Sequence, residues 1–579
     1  MKLNKFIYII TFIAIATSCT KMIDLYPESN LNTGTFYRNL QEIDVALTGC
    51  YKGMQNTLTE EWQVTELRSD NSIQGVPASQ AVPNRDLSDL DMFMLNTSHQ
   101  GNFLYWSNIY NNLRNINLLL NALNVNYSPT TKAITYDNLT ISISDADRKA
   151  RAAEAQFIRA YHYFNLVRLY GGVFLIHEPV TPEQAKLTNR STVADIYALI
   201  EADLNSTIAN GITEKFTAGS PNLGRANSWA AKALLAKVYL TQNKKTEAIT
   251  LLQDVIANSG YGLQPNYLSV FSIANEMSNE VLFAIRYKAG GFGLGSNLPN
   301  LFAPLQTGSA VINGDGRGLN YPSTDVLNSY FNIPIANAIT TAGSNILTLP
   351  APNPDIRVGM YVSATQVPAT ATITAINGVT VTMSATATAT SATANVVIGD
   401  PRRTASIATY NPGAKHYPVK LISNPTVAND AENDWIVLRY ADVLLMLAEA
   451  QGNSTASIAL INQVRTRARL APLNAADINT TALFEAALAR ERRNEFAFEN
   501  QRWFDLLRYT VTFSTISAVQ AIKDHFAIEY PTHYNGYPAP RLSLLELQNN
   551  VTAQKLLLPI PQREIDNNST IVIPQNPGY

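Results

Sequence analysis

The chain has 579 residues, 46% apolar and 15% charged, which excludes a disordered chain and allows a large core in one or more domains. Its 43 basic and 45 acidic residues nearly cancel, so neither nucleic acid nor an anionic membrane surface is indicated as a partner.

At the N-terminus, Lys2 and Lys5 precede an apolar run from Phe6 to Ala16, about half the ~20 residues of a membrane-spanning helix. A short apolar segment behind a positive stub predicts an export signal over residues 1–18, with small Ala16, Thr17 and Ser18 before the cleavage point. Cys19 would then open the mature chain, the arrangement of a bacterial lipobox, in which the cysteine is acylated. Several acyl chains anchor stably where one does not. With Cys19 lipidated, Cys50 has no partner for an internal disulfide.

Helices are predicted through most of the remaining chain. Residues 102–123 place Trp106, Ile109, Tyr110, Leu113, Ile116 and Leu120 at three- and four-residue steps. Residues 145–172 form a longer segment, with Asp145 or Asp147 as its cap and Gly171-Gly172 as its stop. Ser191 is the expected cap of the next. In 225–258, Leu235, Ala236, Tyr239, Ala248 and Leu252 match part of the tetratricopeptide pattern: small alanines let two helices approach while Tyr239 and Leu252 fill the groove. Residues 438–470 read as a looser helical hairpin. Trp106, Trp229 and Trp503 are expected in the core.

The loops carry two near-motifs. In "GGFGLGSN" (290–297) the glycines follow G-x-G-x-G without a βαβ context, so a surface loop is expected and not a nucleotide site. In 313–324, Asn313, Asp315 and Gly318 imitate a calcium loop, but Arg317 and Thr324 occupy positions that need oxygen ligands. From about Ile335 to Gly399 charges nearly vanish and Thr, Ala and Val alternate as in strands, with a turn at Asn377-Gly378. A small all-β module is predicted there. In 489–509, Glu491, Glu495 and Glu499 lie among Arg492, Arg493 and Arg502 at the spacing of a salt-bridged helix face. No catalytic constellation, metal-ligand spacing or cofactor motif emerges, which argues against an enzyme.

"LRYADVLLMLAEA", "ALINQVRTRARL", "ERRNEFAFENQRWFDLLRY" and "LLLPIPQREIDNNSTIVIPQNPGY" resemble the SusD/RagB family, surface lipoproteins of Bacteroidetes that bind nutrients. "LTGCYKGM", "RAAEAQFIRAYHYFNLVRLYGGVFLI", "STVADIYALIEADL" and "RANSWAAKALLAKVYL" fall in the family's order. The resemblance implies a mainly α, SusD-like fold on tetratricopeptide-like helical hairpins. Residues 19–334 and 400–579 would form the SusD-like domain, and 335–399 the β-rich module inserted from a surface loop. It further implies a non-catalytic, lipid-anchored protein of the outer membrane, facing the exterior. Such a protein captures oligosaccharide or polysaccharide and passes it, as a lid, to a SusC-like TonB-dependent β-barrel. Capture of peptide, or a protein-binding scaffold, remain open alternatives. The loops that form family sites hold Asp70, Asn71, Arg85, Asn102, Tyr105, Tyr287 and Tyr321 here, polar and aromatic groups suited to sugar hydroxyls and C–H faces.

Overall fold

The computed structural model describes residues 36–76, 84–217, 219–368, 371–410, 415–537, 541–568 and 570–579; Cys19 lies outside them. Helix Leu40–Val64 packs against Gln100–Ala122, and Asp145–Tyr170 against Val193–Asn210. Two further pairs, Ser228–Thr241 with Lys245–Asn258 and Tyr440–Gln451 with Thr455–Arg467, are joined by three-residue turns. Neighbouring pairs also touch, so their inner sides merge into one apolar core that reaches Leu558, Ile560 and Ile573 in the C-terminal tail. Ala236 and Ala248 are fully buried, as close helix approach requires.

Capping differs in detail from the sequence reading. Ser144, and not Asp145 or Asp147, accepts from Asp147 N, and Thr192, in place of Ser191, accepts from Asp195 N. Gly171 ends the long helix with φ +70°. Trp106 and Trp503 are buried, while Trp229 is only partly covered and donates from Nε1 to the Thr213 carbonyl at 2.7 Å. No helix among the described residues is long and apolar enough to cross a membrane.

The small β-rich region is a six-stranded antiparallel sheet. Its spatial order is Tyr361–Ser363, Ser391–Gly399, Asn332–Thr340, Ile346–Thr348, Thr380–Met383 and Ile373–Asn377. Its own core contains Leu347, Met360, Val362, Ile373, Val381, Val396 and Ile398, and also takes in Ala468 and Leu470 from the helical body. The first strand starts at Asn332 and includes Pro334, a residue that cannot donate to a ladder. It is tolerated because Ile346–Thr348 covers this strand only at Ile339 and Thr340. Asn377 pairs with Thr380, so the two turn residues are Gly378 and Val379, one step later than expected.

The segment 489–509 is not a surface helix face. Helix Thr481–Glu495 stops, Phe498 and Asn500 take positive φ, and a second helix runs Arg502–Thr512. Glu491, Glu495 and Glu499 are buried, and their cations come from distant segments: Arg402, Arg439, Arg465, Arg467 and Lys420. Arg492 and Arg493 turn instead to Asp442, Asp505, Asp325 and Asp70.

Candidate functional site

Helix Leu40–Val64 is followed by the short turn Glu66–Arg68 and the strand Ser72–Gln74, which pairs antiparallel with Asn320–Pro322. Asp70 and Asn71 hold this junction from inside. Arg502 donates to both Asp70 carboxylate oxygens at 2.7 and 2.6 Å, and Arg493 Nε donates to Asn71 Oδ1 at 2.8 Å. Burial would raise the Asp70 carboxyl, but Arg493 and Arg502 outweigh it and keep it well below the usual range. The Ser323 hydroxyl donates to the Asp70 carbonyl at 2.7 Å, which ties the partner strand to the same point.

Four residues expected at a ligand face are thus placed in the core. Asp70 and Asn71 are 2% and 0% exposed, and Asn102 and Tyr105 are fully buried on the inner side of their helix. Asn102 Nδ2 donates to the Pro559 carbonyl at 3.0 Å while its Oδ1 accepts from the Tyr170 hydroxyl at 2.8 Å. Tyr105 donates to Glu61 at 3.4 Å. Their polar atoms are spent on the protein because an unpaired buried donor or acceptor is costly. Tyr287 is also largely buried, and burial pushes its hydroxyl pKa upward.

Arg85 and Tyr321 do reach the surface. Arg85 is exposed at the start of helix Asn84–Asp91, 3.5 Å from Asp86. Tyr321 lies opposite Ile73 in the strand pair, and its ring needs glycines beneath it. A Cβ on Gly318 (φ +59°) would stand 2.6 Å from the Tyr321 hydroxyl.

The most exposed aromatic in this region is one the sequence reading left out. Phe292, 71% exposed, sits in the glycine-rich loop after strand Val281–Ile285. Gly290, Gly291 and Gly293 all take positive φ, and Asp430 accepts from the Gly290 and Gly291 amides at 2.8 Å each. Below the loop, Ser296 and Ala431 exchange backbone bonds, and Arg286 pairs with Asp434 at 2.6 Å. Asn300, in helix Leu298–Phe302, then joins two loops: its Nδ2 donates to the Asn313 and Asp315 carbonyls, and its Oδ1 accepts from Asn429 N. Asp315, the centre of the calcium-like motif, accepts instead from the amides of Thr307, Gly308 and Gly316 at 2.8–3.1 Å. Among the described residues no group of three or more His, Cys, Asp or Glu could hold a metal ion. The result is a pinned loop face from 286 to 322, backed by 424–434, that presents an aromatic ring to solvent. Only the aromatic between glycines could have signalled it in the sequence.

The family model described as "SusD family" matches residues 279–579, and one described as "Starch-binding associating with outer membrane" matches residues 22–240. The chain belongs to the SusD family. A SusD-like protein of Bacteroides ovatus is 24% identical over 99% of this chain and 98% of its own length. A laminarin-binding SusD-like protein shares the fold with a TM-score of 0.64, at 22% identity over 94% of this chain and all of its own. Surface glycan-binding protein A from Bacteroides thetaiotaomicron, solved with laminarihexaose, gives 0.62 at 18% identity over 93% and 99%.

Proposed function

We propose that this chain is a non-catalytic, surface glycan-binding lipoprotein. It captures oligosaccharide or polysaccharide on the loop face that carries Phe292, with Tyr321 and Arg85 on the neighbouring elements. The carrying observation is the Phe292 ring, 71% exposed on a loop braced by Asp430. An exposed large apolar ring on a rigid support suits the C–H face of a sugar, and pre-organisation limits the ordering cost of binding. The names of the solved relatives, binders of laminarin and laminarihexaose, support the same reading.

The protein is lipid-anchored at Cys19 in the outer membrane, faces the exterior, and passes its ligand to a SusC-like TonB-dependent barrel. A family description that names association with the outer membrane supports this placement. The test is binding of the soluble form, from residue 20 onward, to a glycan array and a peptide pool in parallel. Glycan binding without hydrolysis is expected; binding to peptides alone would overturn the reading.

A further inference from the structure

We propose that the seam between the inserted sheet and the helical body is a second glycan contact, taking one or two sugar units of a long chain. This rests on the glycan-binding reading above. A cavity of about 330 Å³ opens there, at the lower end of the range typical of ligand sites. The sheet contributes Thr372, and the helical body contributes Leu268, Thr404, Ala405, Ala468 and Arg469.

The chemistry of this wall is two-sided. Leu268, 55% exposed, offers apolar surface for C–H groups, while the Thr372 hydroxyl, the Thr404 hydroxyl as an acceptor (its proton goes to the Pro401 carbonyl) and one guanidinium can meet sugar hydroxyls. Arg402 and Arg467 reach the same wall but are spent on Asp400, Glu280, Glu491 and Glu495, which leaves Arg469 as its exposed cation.

The cavity's shape is set by both partners at once. Ala468 and Leu470 are buried in the sheet's own core, so the end of helix Thr455–Arg467 is fixed to the sheet. Beside them, Gly359 has φ +95°, and a Cβ there would stand 2.9 Å from Arg469 Cγ. Both halves line the space, Gly359 and Thr372 on the sheet side and the remaining residues on the helical body. A wall held in place in this way binds without a large ordering cost.

Two contacts on one polymer act through effective concentration and raise the affinity for long chains above that for short ones. The experiment measures wild type, Thr404→Trp, Arg469→Gln and Phe292→Ala on an array of short oligosaccharides, long oligosaccharides and polysaccharides. Filling the cavity with Thr404→Trp is expected to weaken the long glycans by about tenfold or more and leave the short ones unchanged. Phe292→Ala should weaken both. Arg469→Gln, at an exposed rim position, reads the same contact if the tryptophan variant loses its helical circular dichroism. Unchanged affinity for long glycans in the seam variants, with wild type binding, overturns the seam site and leaves the glycan reading standing. A wild type that binds no glycan on the array overturns both.

Discussion

Arg439 donates from Nη1 to Glu495 Oε1 across 2.6 Å, with 1% of one side chain exposed and none of the other. Arg402 reaches the second Glu495 oxygen at 2.9 Å, and Arg467 also pairs with this carboxylate. Burial alone would raise the Glu495 carboxyl, but Arg467, Arg439 and Arg402 hold it well below the ordinary range. Glu495→Gln leaves three buried guanidinium groups short of a counter-charge. It is expected to cost roughly 3–5 kcal/mol in urea denaturation. A loss under about 1 kcal/mol would show that the remaining carboxylates compensate.

A second group of carboxyls behaves in the opposite sense. Glu61 and Glu66 are pushed up to about 7, mainly by burial, against the weaker pull of Arg168 and hydroxyl donors on the first and of Asn71 and Lys420 on the second. The folded state therefore keeps protons that the unfolded chain has released. Their contribution is present in full below the ordinary carboxyl range near 4.5 and is lost as pH rises toward 7. Below that range stability falls again, as the depressed Glu495, Asp442 and Asp70 are forced to protonate. Denaturation should thus show greater stability near pH 5 than near pH 8. Glu61→Gln and Glu66→Gln should flatten that slope by roughly 1.4 kcal/mol per pH unit per group. A slope identical to wild type in both variants counts against the assignment.

Phe292→Ala removes the ring from the loop face while the Asp430 brace stays in place. Its affinity for the bound glycan should fall about tenfold, or ~1.4 kcal/mol, with no change in Tm because the ring is largely solvent-facing. Isothermal titration alongside thermal melting separates the two. Equal affinity for wild type and variant would remove Phe292 from the site.

Asn332 and Gly399 pair across the strands that open and close the sheet in chain order, so the β-rich segment leaves and re-enters the helical body at one place. Replacing about 336–398 with a short turn should be thermodynamically mild, because loop closure varies slowly with length. The expected result is a cooperative melt and a nearly unchanged helical circular dichroism signal, with Ala468 and Leu470 newly exposed. Aggregation or loss of the cooperative transition would make the segment part of the core.

Cys19→Ala should abolish incorporation of labelled fatty acid and release the protein from the membrane fraction, since no helix among the described residues is long and apolar enough to cross a membrane. Retention in that fraction would disprove lipid anchoring.

The helical hairpins were legible because a three-to-four-residue apolar period is local: Trp106, Ile109 and Leu113 declare one buried side without reference to any other segment. The sheet was legible for the same reason, except at Asn332–Thr340, where Pro334 hides a strand that only the uneven cover of its neighbour permits. Burial of polar groups was not legible. Asp70 and Asn102 carry ligand-like side chains, yet their partners, Arg502 and Pro559, lie more than 400 residues away. Phe292 was missed in the reverse direction, since exposure of an aromatic is decided by the brace beneath it, and Asp430 is remote in sequence.

The buried charge cluster has a temporal side. Glu280, Arg439 and Glu495 meet across separations of 159 and 56 residues, and Glu499 must also arrive before Lys420 and Arg439 are fully matched. During synthesis from the N-terminus, Glu280 waits in water until most of the chain has emerged. The hairpins near the N-terminus can form early from local contacts, but the centre can close only at the end. Nascent chains halted before about residue 500 should therefore remain open to protease and chaperone, whatever helix they already contain.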